Sequence, residues 1–164
     1  MAALVWCLPF QAHSQTASIA VPRGTVILEV DGAIHQQNFG HKARLDLAML
    51  DALPQVAFTT TTIWTEGATS FSGPSLTSVL ALLQAEPGQI TVSAANDYKV
   101  TLAGGTITGD APILATRKNG LLLSLRDFGP IWLVYPYDSS ADYKTNLIYA
   151  QSVWQMTHLT VEQD

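Results

Sequence analysis

The second half of the chain is divided by turn residues into short runs that favour β-strands. QITVSAA (89–95) and YKVTLAG (98–104) flank Asn96-Asp97, a pair common in turns. In APILATRKNGLLLSL (111–125), Asn119-Gly120 suits a type I′ turn, which predicts a β-hairpin. PIWLVYP (130–136) and SVWQMTHLTV (152–161) are further strand candidates. This spacing predicts several strands separated by turns.

The first half mixes strand and helix patterns. TVILEV (25–30) is a strand candidate that ends at Asp31-Gly32, and QVAFTTTTIW (55–64) alternates in polarity as a half-buried strand does. The alternation sends four side chains to one face, namely Val56, Phe58, Thr60 and Thr62.

Two segments have helical spacing. ARLDLAMLDALP (43–54) stops at Pro54, and SGPSLTSVLALLQAEPG (72–88) has Ser72 as a cap candidate and an apolar stripe of Leu76, Val79, Leu80 and Leu83. Many strands with two or three helices predict the α+β fold class, in a single domain over residues 15–164.

Composition limits the classes of partner. The 164 residues are 48% apolar and only 13% charged, which is typical of a globular domain. The net charge is −5, and the eight Lys and Arg form no basic run, so nucleic acid and anionic membranes are not expected partners.

The N-terminus resembles a secretory leader. Ala2 to Phe10 is apolar, and small residues Ala12 and Ser14 suit cleavage before Gln15. We therefore expect a signal peptide over residues 1–14 and a periplasmic or secreted protein; a disordered or core-docked N-terminus is the alternative. Cys7, the only cysteine in the sequence, falls in this leader, and no other stretch is long enough to span a membrane.

Few residues stand out as site candidates. The four histidines have no neighbours at zinc-ligand spacing, so no metal site is predicted. Asp97 suits a backbone cap and Tyr98 suits a position with one solvated end. Trp64, Trp132 and Trp154 are large enough to dominate a core, and core packing is the default for each of them.

Five segments together resemble the molybdopterin-binding domain of the sulfite oxidase family, from about Leu47 to Val161. They are FSGPSLTSVLALL, SAANDYKVTL, PILATRKNGLLLSL, GPIWLVYP and QSVWQMTHLTV, in that order. The resemblance implies that family's mixed β-sheet fold with a few helices. In catalytic members it also implies a pyranopterin-bound molybdenum held by one cysteine thiolate.

The sequence departs from that family where the cofactor would bind. The ligand cysteine is expected within TTTTIWTEG (59–67), which contains none. Trp132 stands where the resemblance implies Arg, and Trp154 where it implies Lys. Because an uncharged indole cannot replace a cation that holds an anion, we expect no cofactor and a cleft plugged by Trp132.

Two functions follow, and whether the chain is an enzyme stays open. The first is an exported non-catalytic module that takes a small apolar or cationic ligand, or a periplasmic protein partner. Its expected cleft is lined by Trp64, Asn96, Asp97, Tyr98, Trp132 and Trp154. The alternative is a periplasmic molybdopterin-dependent oxidoreductase acting on a small oxyanion or sulfoxide.

Overall fold

A computed structural model describes residues 19–86, 88–107 and 109–163. The predicted leader and Cys7 lie outside these ranges. Strands dominate the described chain, which contains eleven of them: β1 (Val26–Gly32), β2 (Ala43–Asp46), β3 (Gln55–Thr61), β4 (Ala68–Pro74), β5 (Gln89–Ala94), β6 (Lys99–Ala103), β7 (Ile113–Ala115), β8 (Arg117–Lys118), β9 (Leu121–Leu122), β10 (Trp132–Val134) and β11 (Met156–Glu162).

Helices are short throughout the described ranges. The three α-helices have five, seven and five residues and are α1 (Leu47–Asp51), α2 (Leu76–Leu82) and α3 (Asn146–Ala150). Four single turns of 3-10 helix complete the set, at Gly104–Thr106, Leu125–Asp127, Tyr137–Ser139 and Ala141–Tyr143.

The strands form three sheets. The largest has the order β2-β1-β11-β5-β6, in which only β1 and β11 run parallel. A four-stranded sheet has the order β3-β4-β8-β9, and β7 pairs with β10 in a two-stranded sheet. Gly73 lets β4 pass close to β7, because a Cβ there would stand 2.0 Å from the carbonyl oxygen of Leu114.

Two buried clusters of different character fill the molecule. The first, which we call the aliphatic core, lies on the five-stranded sheet and α2 and includes Leu28, Val30, Leu45, Leu76, Val79, Ile90, Val92, Leu133, Val153, Met156 and Leu159. The second, which we call the aromatic core, has buried Phe71, Ile113, Ala115, Leu123, Trp132, Val134, Tyr135 and Tyr137, with Val56, Phe58, Trp64, Phe128, Tyr143, Ile148, Tyr149 and Trp154 packed against them.

The strand and hairpin predictions are confirmed. In the β8–β9 hairpin, Arg117 pairs with Leu122 and Lys118 with Leu121. Asn119 and Gly120 between them have φ of 50° and 78°, the positive values that a type I′ turn needs. The helical stripe Leu76, Val79, Leu80 and Leu83 is buried as expected, although the cap is Ser75 and not Ser72.

The α+β fold class is wrong, and with it the mixed fold that the family resemblance implied. The described chain leans strongly to β-structure, because its eleven strands outweigh three α-helices of five to seven residues, and each segment with helical spacing begins as a strand. In residues 43–54, Ala43–Asp46 is a strand whose Leu45 pairs with Leu28 of β1. The Asp46 carboxylate accepts hydrogen bonds from the N–H groups of Gly24 and Met49, so the helix begins only at Leu47.

Candidate functional site

Four of the six sequence-predicted site residues surround one pocket of about 200 Å³. They are Trp64, Asn96, Tyr98 and Trp154. Tyr149 adds a further aromatic wall, and the remaining lining is small, from Ala94, Ala150, Ser152 and Val153. The pocket therefore lies where residues of the aromatic core meet Ala94 and Val153 of the aliphatic core.

The turn between β5 and β6 supplies Asn96 and Tyr98. Asp97 adopts a left-handed conformation with φ of 65°, which Asp tolerates better than most residues, and this reverses the chain. The Asn96 side-chain oxygen accepts a hydrogen bond from the Tyr98 N–H. The Tyr98 hydroxyl donates to the Ala150 carbonyl oxygen at 2.7 Å, so the turn is fastened to the end of α3.

A threonine-stabilised loop presents Trp64. The hydroxyl oxygen of Thr62 accepts hydrogen bonds from the N–H groups of Trp64 and Thr65, at 3.0 and 2.9 Å. Such local side-chain bonds fix a turn without helix or sheet pairing. They set the half-buried indole of Trp64 against the aromatic core.

The chain from α3 to β11 forms the third wall. Thr145 caps α3 through a hydrogen bond from the Ile148 N–H, which places Tyr149 in the last turn of the helix. The chain then runs beside β10, where the Leu133 N–H donates to the Val153 carbonyl oxygen at 2.8 Å. This bond holds the backbone beside Trp154 in place.

The aromatic walls meet at steep angles. The Trp64 ring lies 5.8 Å from that of Tyr149 and 5.7 Å from that of Trp154, between centroids, at 83° and 68°. Edge-to-face contacts of this kind are favourable. These rings contact one another edge to face, and each of them also borders the pocket.

Some hydrogen-bonding groups at the pocket already have partners in the protein, and others have none in the described chain. The Tyr98 groups occupy the Asn96 and Ala150 oxygens, and the Ser152 hydroxyl both accepts from the Tyr137 hydroxyl at 2.6 Å and donates to the Ile148 carbonyl oxygen. Within the described chain, the Asn96 amide nitrogen and the Trp64 and Trp154 indole nitrogens donate to no protein acceptor. These three groups keep N–H donors that a ligand can use.

Tyr137 beneath the pocket is held neutral. Burial raises its pKa to about 12, a shift that the hydrogen bond to Ser152 only partly offsets. The Ser152 hydroxyl thus has an uncharged phenol beside it. A phenol with so high a pKa is a poor general base at neutral pH, so this pair is structural.

The two other predicted cleft residues lie elsewhere. Trp132, which was expected to line or plug the cleft, is fully buried and is not among the residues around this pocket. Its ring packs on those of Trp64, Phe71 and Phe128, with centroids 5.7, 5.3 and 4.8 Å away. It fills the space behind Trp64, and its indole N–H has no hydrogen-bond partner in the described chain. Asp97 is exposed at the tip of the turn and does not line the pocket.

The sequence reasoning missed Tyr149, Ala150 and Ser152. The usable signal was Thr145, which could have been recognised as a helix cap and would have placed Tyr149 on a short helix. Its neighbour Leu147 is 65% exposed, so no apolar stripe marks the segment.

The residues around the pocket do not fit the cofactor that the resemblance implied. The described lining has no thiol to bind molybdenum and no Lys or Arg to hold a phosphate. No group of three or more His, Cys, Asp or Glu side chains suited to a metal ion occurs in residues 19–86, 88–107 and 109–163.

Comparison with protein-family models matches no family to this chain, and comparison with curated proteins finds no match either. In the described part of the chain, no helix combines the length and apolar character needed to cross a membrane.

Proposed function

We propose that this domain is a non-catalytic module that binds one small ligand in the aromatic pocket. The observation that carries the proposal is the lining itself. Four aromatic side chains, Trp64, Tyr98, Tyr149 and Trp154, enclose a concave space that carries few polar groups. Small-molecule sites in proteins are usually concave, largely apolar and equipped with a few oriented polar groups, as this one is with Asn96.

The polar side chains of the pocket support binding better than catalysis. Ser152 is the only described lining residue with an aliphatic hydroxyl, and its hydrogen bonds are to a phenol and a backbone carbonyl. Activation of a serine requires an adjacent base that takes its proton, and neither partner can do so at neutral pH. The described lining also contains no Asp, Glu or His for acid–base work.

The family resemblance stays a prediction, and molybdenum chemistry is not part of the proposal. Molybdenum is left out because the described lining of the pocket has no thiol for the metal and no Lys or Arg for a phosphate. Elemental analysis of protein from a molybdenum-competent host checks this directly. About one molybdenum per chain would return the protein to the oxidoreductases.

Ligand binding is tested by the shift in unfolding midpoint with cyclohexanol and with tetramethylammonium as probes. A ligand that binds only the folded state raises the midpoint with concentration. We expect at least one probe to do so in wild type and to lose its effect in Trp154→Leu. Phe39→Leu is the matched control, because Phe39 is an exposed aromatic outside the pocket. Equal shifts in all three proteins would contradict a pocket-based function.

We also propose that the module acts after export, as the apolar N-terminal stretch and small residues Ala12 and Ser14 suggest. Mass spectrometry of protein from a periplasmic fraction should show a chain that begins near Gln15. An intact N-terminal Met would contradict the proposal of export.

A further inference from the structure

We propose that the pocket is an aromatic cage for a quaternary ammonium group. This inference rests on the proposed binding function and names its ligand class. Ligands of this class carry a positive charge that is spread over methyl groups, and they are recognised by the electron-rich faces of aromatic rings. The pocket has the rings, the shape and the pattern of hydrogen-bonding groups that this chemistry requires.

The rings provide walls in several directions. Trp64 stands at 83° to Tyr149 and at 68° to Trp154, and Tyr98 closes the side formed by the β5–β6 turn. A cation among such walls interacts with more than one ring at once. Trp is the strongest side chain for this interaction, and two of the four rings are Trp.

The acceptors favour a methylated ammonium over a primary one. A primary ammonium brings three N–H donors, each of which needs an acceptor when it leaves water. The Asn96 and Ala150 oxygens each already accept one hydrogen bond from Tyr98, which leaves each of them one further lone pair, and no carboxylate occurs in the described lining. A quaternary ammonium has no N–H group, so its binding carries no free-energy cost from a donor left without an acceptor.

The charges around the pocket permit a cation. No Lys or Arg belongs to the described lining, and the whole chain has a net charge of −5. Asp97 and Lys99 are exposed on either side of Tyr98, so their opposite charges largely cancel at the rim. Selectivity for the cation must therefore come from the rings.

The spare donors suggest what lies beside the ammonium. The Asn96 amide and the indole N–H groups of Trp64 and Trp154 can donate to an oxygen atom on the ligand. A small molecule that joins a trimethylammonium group to a hydroxyl satisfies both requirements. Choline is a probe of that chemistry.

The test compares three ligands of similar size by isothermal titration calorimetry with the full chain. Choline has the charge and the methyl groups, 3,3-dimethylbutan-1-ol has the same shape without the charge, and ethanolamine has a primary ammonium. We expect choline to bind about tenfold or more tightly than the neutral alcohol, which is the size of a desolvated cation–π interaction. Ethanolamine should bind more weakly than choline.

Each result has a defined meaning. If the neutral alcohol binds as tightly as choline or more tightly, the cage is wrong but the binding function stands. If ethanolamine binds as tightly as choline, the pocket does not prefer a methylated ammonium to a primary one, and that part of the proposal is wrong. If none of the three binds, both the cage and the proposed function are contradicted.

Substitutions of pocket residues test whether the preference for choline arises from the aromatic rings. Trp154→Leu should reduce choline affinity about tenfold and change the affinity for the neutral alcohol much less, whereas Trp154→Phe, which keeps a ring, should lie between. Circular dichroism confirms that each variant is folded. If Trp154→Leu fails to fold, Tyr98→Leu and Tyr98→Phe form a second pair at an exposed position. Equal loss for choline and the neutral alcohol would overturn the cage.

Discussion

The aliphatic core and the aromatic core are built from side chains of different shape. Both reach the pocket, the first through Ala94 and Val153 and the second through the rings of Trp64, Tyr149 and Trp154. Leu, Val and Ile in the five-stranded sheet interdigitate, and Leu28, Val92 and Leu159 are fully buried. Rings in the aromatic core meet at steep angles, as Trp64 does with Trp132 and Trp154 at 70° and 68°.

The aliphatic core mainly supports the fold, whereas the aromatic core also provides a site that can bind a small ligand. The sheet with the aliphatic core positions the β5–β6 turn and the start of β11, and the aromatic core supplies the ring walls. Substitutions in the first should change stability and leave the ligand site intact. Substitutions in the second should change both.

The largest effect is expected for Trp132→Arg. Trp132 is fully buried between Trp64, Phe71 and Phe128, with no carboxylate against it in the described chain. The substitution buries an unpaired guanidinium and removes the ring packing, which should cost about 5 kcal/mol or more. Urea denaturation measures the loss, and Trp132→Phe is the matched control. A loss below about 1 kcal/mol would show that this position is not a packed core site.

Leu159→Ala tests the aliphatic side. Leu159 lies in β11 opposite Val92 and is fully buried. We expect the free energy of unfolding to fall by about 3 kcal/mol, from lost burial and the cavity that remains. Ligand affinity, measured where the variant is fully folded, should stay within about twofold of wild type. A large loss of affinity would mean that the two cores do not act independently.

Gly120→Val tests the hairpin beside the aromatic core. A Cβ at Gly120 meets no atom within 4 Å, so any cost arises from the φ of +78° and not from a clash. A β-branched residue is strained in that region, and we expect a loss of about 1 kcal/mol in unfolding free energy. Gly120→Asn is the control, because Asn tolerates positive φ. Equal stability of the Val and Asn variants would contradict the turn assignment.

The smallest expected effect is on the pH dependence of stability, through the carboxyl group of Asp138. The Lys144 ammonium and the Thr61 N–H and hydroxyl hold the pKa of Asp138 below its ordinary value of 3.8. A carboxyl with a lowered folded pKa stabilises the protein above its unfolded pKa, and this contribution is lost as pH falls below about 4. Asp138→Asn should therefore flatten the fall in unfolding midpoint between about pH 4 and pH 2. Because Asp138 is at the surface, the change should be small. An unchanged pH profile would contradict the role of this contact.

The sequence predicted the strands because their signals are local. Alternation in residues 55–61 and the turn pairs at 96–97 and 119–120 specify φ and side-chain direction within a few residues. The helix over 43–54 was only partly predicted, for the opposite reason. Leu47 and Leu50, which have helical spacing, do lie in α1, but Ala43–Asp46 is a strand. Pairing of Leu45 with Leu28 fixes that strand, and this partner is distant in sequence.

The site was only partly predictable for the same reason. Trp64, Asn96, Tyr98 and Trp154 were chosen for size and turn chemistry, and they do meet around the pocket. Whether a tryptophan faces a pocket or fills the space behind one depends on contacts between distant strands, so Trp132 could not be separated from Trp154. Tyr149 was missed because α3 has only five residues and its exposed Leu147 hides the helical pattern.

The most direct test of the central claim is a titration of 15N-labelled protein with tetramethylammonium, followed by the indole N–H signals in two-dimensional NMR spectra. We predict saturable shifts of the Trp64 and Trp154 indole signals and smaller shifts for Trp132, which lies behind Trp64. The backbone amides of Val92 and Leu159 in the aliphatic core should not move. Saturable shifts confined to the five-stranded sheet, or no saturable shift at Trp64 and Trp154, would contradict that claim.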